Sequence, residues 1–327
     1  MRKDTFETPV LFVIFNRPEL TQQVFEAIRS IRPRTLFIAA DGPRSSNSQD
    51  VHRCAAARQV VSKVDWPCDV QTRFLEENLG CRQAVSSAID WFFSRNEEGI
   101  ILEDDCLPCE DFFRYCEIML NRYRNEKQIM HIGGTNFQDG IRRGREDIYF
   151  SRFSHVWGWA TWRRAWLAYD VNMASYPSDP IDQMLSKISS NRYFANYWKS
   201  IFEMTYKNLI DTWDYQWLYA IWRSDGLCII PQENLISNIG FGPETTHTHG
   251  PSPYAQMETR PFRPMHFPIQ MTPNTEADAY TARKHFNIPS GWATFSRKIL
   301  NAANFLTLGK KAARKAWHVT KRLLGDT

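Results

Sequence analysis

Ile100-Ile101-Leu102-Glu103-Asp104-Asp105-Cys106 decides the reading of the fold: a short apolar run ends abruptly in three consecutive carboxylates. A continuous apolar run of strand length fits a strand covered on both faces, as in parallel sheets of α/β proteins. Three adjacent acids at its carboxyl end repel one another unless a cation or hydrogen-bond donors lie among them. Ligands of open α/β sheets bind at that end of the strands. Hard oxygen ligands there suit Mg²⁺ or Mn²⁺, and those ions suit a diphosphate. The competing reading is a solvated acidic turn that caps the next helix.

Outward from this stretch, strands and helices alternate. Residues 10–15 form an apolar strand ended by Asn16-Arg17-Pro18, and 19–31 carry a helical stripe of Leu20, Val24, Ala27, Ile28 and Ile31. Pro18 suits the first turn of that helix. Strands follow at 36–40, ended by Asp41-Gly42-Pro43, at 70–75 and at 100–102, with helices at 54–64, 79–95 and 110–123. This order predicts an α/β fold built on a doubly wound, mostly parallel sheet, at least through residue 135. Beyond Gly133-Gly134 the pattern loosens. Helices are expected at 181–189, 193–208 and 214–223, a short strand at 228–230, and a loop at 234–253. The Pro-rich stretch 251–273 reads as a surface wrap.

Composition sets the class. Of 327 residues, 43% are hydrophobic and 23% charged, as in ordinary soluble globular proteins. Aromatics reach 14% with 12 Trp, clustered between Tyr149 and Trp222. Such clusters stack on sugar faces or fill cores. Seven cysteines at irregular spacing, with no secretory signal read in residues 1–9, predict reduced thiols and a cytoplasmic setting. The lone Cys106-Leu107-Pro108-Cys109 has no second pair or nearby His to complete a zinc site. No apolar run approaches the ~20 residues that span a bilayer. The net charge of +4 hides a tail: residues 292–327 hold eight Lys/Arg against one Asp, leaving the rest mildly acidic.

In that topology, strand ends deliver Arg17, Asp41 and the triplet Glu103-Asp104-Asp105 to one edge. Arg17 is suited to a nucleobase edge or a phosphate, and Asp41 to a ribose hydroxyl. Both also sit in good turn sequences. The glycine-rich phosphate loops are absent after the first strand, which favours a metal-bridged diphosphate. Asp214, between Trp213 and Tyr215, is placed for partial desolvation and work as a general base. Alternatively Asp211, Thr212 or Asp214 caps the helix carrying Trp217.

The order Phe15-Asn16-Arg17, Ala40-Asp41-Gly42, Leu102-Glu103-Asp104-Asp105 and Asp111-Phe112-Phe113 resembles the GT-A glycosyltransferases, in particular the N-acetylglucosaminyltransferase I type. The likeness continues through Gly158-Trp159, Trp166, Trp213-Asp214-Tyr215-Gln216-Trp217 and Phe241-Gly242, and so covers about residues 9–250. It implies a GT-A glycosyltransferase domain over 1–250, with a nucleotide-binding half at about 9–135 and an acceptor half at about 136–250. A wrapping segment (251–291) and a basic amphipathic tail (292–327) follow. It implies that Asp105 holds Mn²⁺ or Mg²⁺, with Glu103 and Asp104 near ribose and sugar, Arg17 on the base, Asp41 on the nucleoside and Asp214 as base. Where the family type has a second acid, this chain has Tyr215.

Within that frame Arg82 is a candidate for the diphosphate, or a helix-surface Arg. His247, in Thr245-Thr246-His247-Thr248-His249, is a candidate further metal ligand, or a solvent-facing loop residue. The loop Ser154-His155-Val156-Trp157-Gly158-Trp159 reads as a sugar pocket or as core. The implied reaction moves a sugar from a nucleotide-diphosphate sugar to a hydroxyl of a glycan or lipid-linked glycan, with inversion. Residues 297–324 combine an apolar side with six Lys/Arg between 310 and 322, which suits an anionic membrane surface and not nucleic acid; the alternative is a helix packed on the body with a solvated face, or a mobile tail. The rivals are a sugar nucleotidyltransferase, which ordinarily carries a Gly-rich loop where this chain has Asn16-Arg17-Pro18, and a non-catalytic sugar-binding protein.

Overall fold

The computed structural model describes residues 6–241 and 253–289. Its first half follows the sequence pattern closely. Strands β1 (Val10–Ile14), β2 (Thr35–Ala40), β3 (Asp69–Phe74) and β4 (Glu98–Glu103) alternate with helices α1 (Pro18–Ile31), α2 (Gln49–Val61) and α3 (Gly80–Phe93). The chain continues through β5 (Cys106–Pro108) into α4 (Glu110–Tyr123). β2, β1 and β4 lie side by side and parallel, with β3 outside β2. α1 starts on Pro18 as expected, because a residue without an amide hydrogen loses nothing in the first turn.

One sheet runs through both halves. β6 (Ile129–Gly133), β7 (Ile148–Ser151), β8 (Trp159–Trp162) and β9 (Leu227–Pro231) extend it, in the order β3-β2-β1-β4-β8-β6-β9-β7. β8 is antiparallel to both β4 and β6, and β7 is antiparallel to β9, so six of the eight strands share one direction. The sheet is therefore mixed but mostly parallel, and it separates two cores. In β1, Leu11 and Val13 face the layer of α3 and the later helices, while Val10, Phe12 and Ile14 face α1, α2 and α4. That alternation is the period-2 pleat, with both faces covered.

The later helices are α5 (Arg163–Trp166), α6 (Ile181–Ile188), α7 (Arg192–Tyr206) and α8 (Asp214–Arg223). The sequence pattern anticipates the last three and misses α5, β5, β6, β7 and β8, and the stretch read as a loop from 234 opens with a short strand at Ile236–Asn238. β8 lies in the Trp-rich stretch, and its Trp159 and Trp162 are both fully buried. Trp166, Trp213 and Trp217 pack with Trp159 in one aromatic cluster. Most of the tryptophan excess is thus core, and within 154–159 the Trp157 ring keeps partial exposure.

Residues 253–274 run without regular structure over the α4 and β7 side. Phe262 is buried, its amide donating to Asp111 Oδ2 at 2.9 Å. Met265 and His266 amides donate to Asp147 Oδ2. An unexpected helix, α9 (Thr275–Lys284), follows within the segment read as a wrap. It starts at Asn274, whose side chain takes the Ala277 amide, and it seats Asp278 against β7. His247 and the tail 292–327 lie outside the described residues.

Candidate functional site

The acidic edge is built by β4 and a short antiparallel pair of strands distant in sequence. β5 pairs antiparallel with β10 (Ile236–Asn238), matching Cys106 with Asn238. The Ile239 amide donates to the Asp105 carbonyl at 2.8 Å, so the chain beyond β10 holds Asp105 from one side. Gly240 closes this contact. A Cβ there would lie 2.4 Å from Asp105 Oδ2 and 2.7 Å from its Cβ. Asp-Phe-Phe, the neighbouring signature, is structural: Phe112 and Phe113 are in the core, and Asp111 anchors residue 262.

Arg17, from the turn after β1, reaches the triplet directly. Its guanidinium forms ion pairs with Asp104 and, through Nη1 at 3.0 Å, with Asp105 Oδ2. Asp104 is nearly inaccessible and also accepts the Phe15 amide at 3.1 Å. Burial works against the Arg17 charge, but Asp104 and Asp105 outweigh it and hold the guanidinium above its ordinary range. Glu103 is packed among these charges. Burial, then Asp105 and Asp104, push its carboxyl up to about 8, with Arg17 opposing and Asp214 adding to the rise. Arg17 offsets only one of the three carboxylates; with Glu103 raised to about 8, the edge carries a surplus of one negative charge near neutral pH and of two above that value.

That surplus fits a divalent cation. Among the described residues no group of three or more His, Cys, Asp or Glu closes a metal cage. An ion held at Asp105 would have to draw its remaining oxygens from water or a bound ligand, an arrangement usual for Mg²⁺.

Asp41 ends β2 as expected, but its oxygens are already engaged. Oδ1 accepts from the amides of Gly42 and Leu79, and Oδ2 from Asn78 Nδ2 and the Gly80 amide, all at 2.8–3.1 Å. It caps α3 and orders the turn before it. Burial raises its carboxyl against those hydrogen bonds. Arg82 is likewise committed. Its guanidinium donates to the Val171 carbonyl and, at 3.4 Å, to Asn172 Oδ1, while its Nε is buried without a partner. The structure thus brings Arg17 and the triplet together, and gives Asp41 and Arg82 protein partners.

Asp214 opens α8, where its Oδ1 accepts from the Tyr215 amide at 3.0 Å and from Thr212 Oγ. It shares an electrostatic neighbourhood with the triplet. Burial raises the Cys81 thiol well above its usual range, reinforced by Glu103, Asp211, Asp214 and Asp105. Nothing in the sequence context of Cys81 or Asp211 marks either as a site residue. From sequence Asp211 reads as a cap for α8; in the structure its Oδ1 caps α3 instead, through the Arg82 amide at 3.1 Å.

No family model and no curated protein matches the chain. Among solved structures, residues 1–349 of TarS from S. aureus superpose with a TM-score of 0.35 at 10% identity, over 48% of this chain and 47% of that one. HddC from Yersinia pseudotuberculosis gives 0.27 at 11% identity, over 39% of this chain and 58% of that one. An apo UDP-glucose pyrophosphorylase gives 0.36 at 11% identity, over 71% and 93%. The match spans 47% of the length of the TarS structure and 58% of HddC, and overlaps at these scores assign no activity.

Proposed function

We propose that this chain is a metal-dependent glycosyltransferase. It moves a sugar from a nucleotide-diphosphate sugar, of the UDP-N-acetylglucosamine kind, to a hydroxyl of a glycan or lipid-linked glycan, with inversion. The observation that carries the reading is the acidic edge: three carboxylates at the end of β4, one guanidinium among them, and Asp214 close enough to raise Glu103. Asp105, the partly exposed acid at the end of the triplet, is the residue to hold Mn²⁺ or Mg²⁺. Such an ion, when bound, offsets the charge that develops on the departing diphosphate. Asp214 accepts the acceptor's hydroxyl proton on a carboxylate oxygen as that hydroxyl attacks the anomeric carbon. Glu103 faces the sugar side of the donor, whereas Asp104, expected near the ribose, is buried against Arg17 and the Phe15 amide and serves to hold Arg17, which orients the edge while remaining near the base.

A thermal-shift panel of UDP-, GDP-, CMP- and dTDP-sugars, each with and without Mn²⁺, tests the donor half of the reading. A ligand at 100 times its Kd adds about 2.7 kcal/mol of stability by mass action. One nucleotide class should stabilise the protein, and more so with Mn²⁺. No shift with any donor sinks the proposal. Pyrophosphate release from a sugar phosphate and a nucleoside triphosphate, without sugar transfer, would replace it with the nucleotidyltransferase reading.

A further inference from the structure

Asp214 lies on α8, in the acceptor half, while Glu103–Asp105 lie at the end of β4 and in the turn after it, in the nucleotide-binding half. A base serves the reaction only if its position relative to the donor edge is fixed. Contacts from the start of α3 and from residues 169–172 supply that link. The Arg82 amide donates to Asp211 Oδ1 at 3.1 Å, three residues ahead of Asp214. The Arg82 guanidinium holds the carbonyl of Val171 and Asn172 Oδ1. From the same stretch Tyr169 donates its hydroxyl to the Trp213 carbonyl at 3.3 Å. Thr212 Oγ then donates to Asp214 Oδ1.

The helix start is shaped for this. Gly80 has φ +80°, and a Cβ on it would lie 3.1 Å from Asp211 Oδ2. Its left-handed backbone and missing side chain admit the carboxylate. Asp41 takes the Leu79 and Gly80 amides and Asp211 takes that of Arg82, so two carboxylates from different halves share one helix N-terminus. Between them Cys81 packs within electrostatic range of Glu103, Asp214 and Asp105.

We propose that Arg82 and Asp211 form a clasp that sets the position of Asp214 against the acidic edge. Both are positioning residues, acting through Asp214 rather than on substrate. The inference rests on Asp214 being the base, and adds what holds the base in register.

The test compares Asp211→Ala with Asp211→Asn, whose amide oxygen can still accept the Arg82 amide. UDP binding with Mn²⁺ is measured by calorimetry, UDP-N-acetylglucosamine turnover by UDP release, and backbone amide exchange over 79–83 and 211–216 by mass spectrometry. In Asp211→Ala, turnover should fall about 100-fold through kcat, the cost of roughly 1 Å of misplacement. UDP affinity should stay within threefold, and exchange should rise in both segments. Asp211→Asn should lose less than tenfold in turnover and keep its exchange protection. The clasp is overturned if Asp211→Ala leaves exchange in both segments unchanged, or if Asp211→Asn loses protection as fully as Asp211→Ala. A wild-type protein that neither binds nor turns over these nucleotides defeats the donor reading instead, and the exchange arm still decides the clasp.

Discussion

Arg17 is the sharpest place to separate architecture from recognition, because the structure commits it to Asp104 and Asp105. Arg17→Met keeps most of the side-chain length and removes the charge. Asp104 has a side chain only 3% exposed and would be left with the Phe15 amide as its partner. Removing one member of a buried pair costs about 3–5 kcal/mol, since the remaining charge is stranded out of water. At about 2–4 °C per kcal/mol for a domain of 150–250 residues, that is a fall in Tm of about 6–20 °C, with the lower end expected for a chain of this length. The pH dependence has a definite sign. Burial already raises the Asp104 carboxyl, and the loss of Arg17 raises it further. The stranded acid is protonated in both folded and unfolded states at low pH, so the penalty is absent there. It grows as pH rises above the unfolded value of about 3.9. Urea unfolding of wild type and variant at pH 4 and pH 7 should therefore show a gap that widens toward neutrality. Arg17→Met with Asp104→Asn, which still accepts the Phe15 amide, should recover most of the loss. A variant within 1 kcal/mol of wild type at pH 7, or a double variant no better than the single, would refute the reasoning.

Further expectations concern the chemistry and the fold. Asp214→Asn should lower transfer by about 10²–10⁴-fold, the usual worth of a general base, with UDP affinity nearly unchanged; lost UDP binding would mean the residue is misassigned. Gly240→Ala should weaken Mn²⁺-dependent UDP binding by about 10–100-fold in calorimetry, because its Cβ collides with Asp105 without removing any ligand. Burial pushes Asp278 up to about 6 despite its bonds to Ser151 Oγ and the Arg152 amide. An acid raised in the folded state destabilises the protein as pH climbs from the unfolded pKa through the folded one, here by about 2 kcal/mol between pH 4 and 6. Asp278→Asn should lack that decline in urea titrations across the range. Deleting residues 292–327 should release the protein from anionic vesicles in a flotation assay while sparing UDP binding, if the tail is the membrane contact.

The first half of the fold was legible because each apolar run is bounded by turn chemistry and matches one period. The helix over 110–123 illustrates this: its apolar stripe fixes both ends, and Glu110 and Asp111 open it. β6, β7 and β8 were not legible, because the four-residue strands among them lie between longer irregular stretches and β8 consists of Trp and small residues. Trp159 is read from sequence equally well as a sugar-stacking ring or as core, and only its stacking on Trp213 and His131 decides for core. The site shows the same division. Strand ends are local features, so Arg17 and Glu103–Asp105 could be brought to one edge from their spacing. What Asp41 and Arg82 bind depends on Asn78, Asp211 and Val171, the latter two from another half of the chain, and no local pattern carries that. Asp211 makes the point most plainly. Its neighbours in sequence invite a cap on α8, yet 129 residues separate it from the amide it holds. An acid that closes a helix start in the other half looks, in sequence, like any helix cap. It follows that the groups most easily missed from sequence are those joining the two halves, which are also the ones proposed to hold Asp214 against the acidic edge.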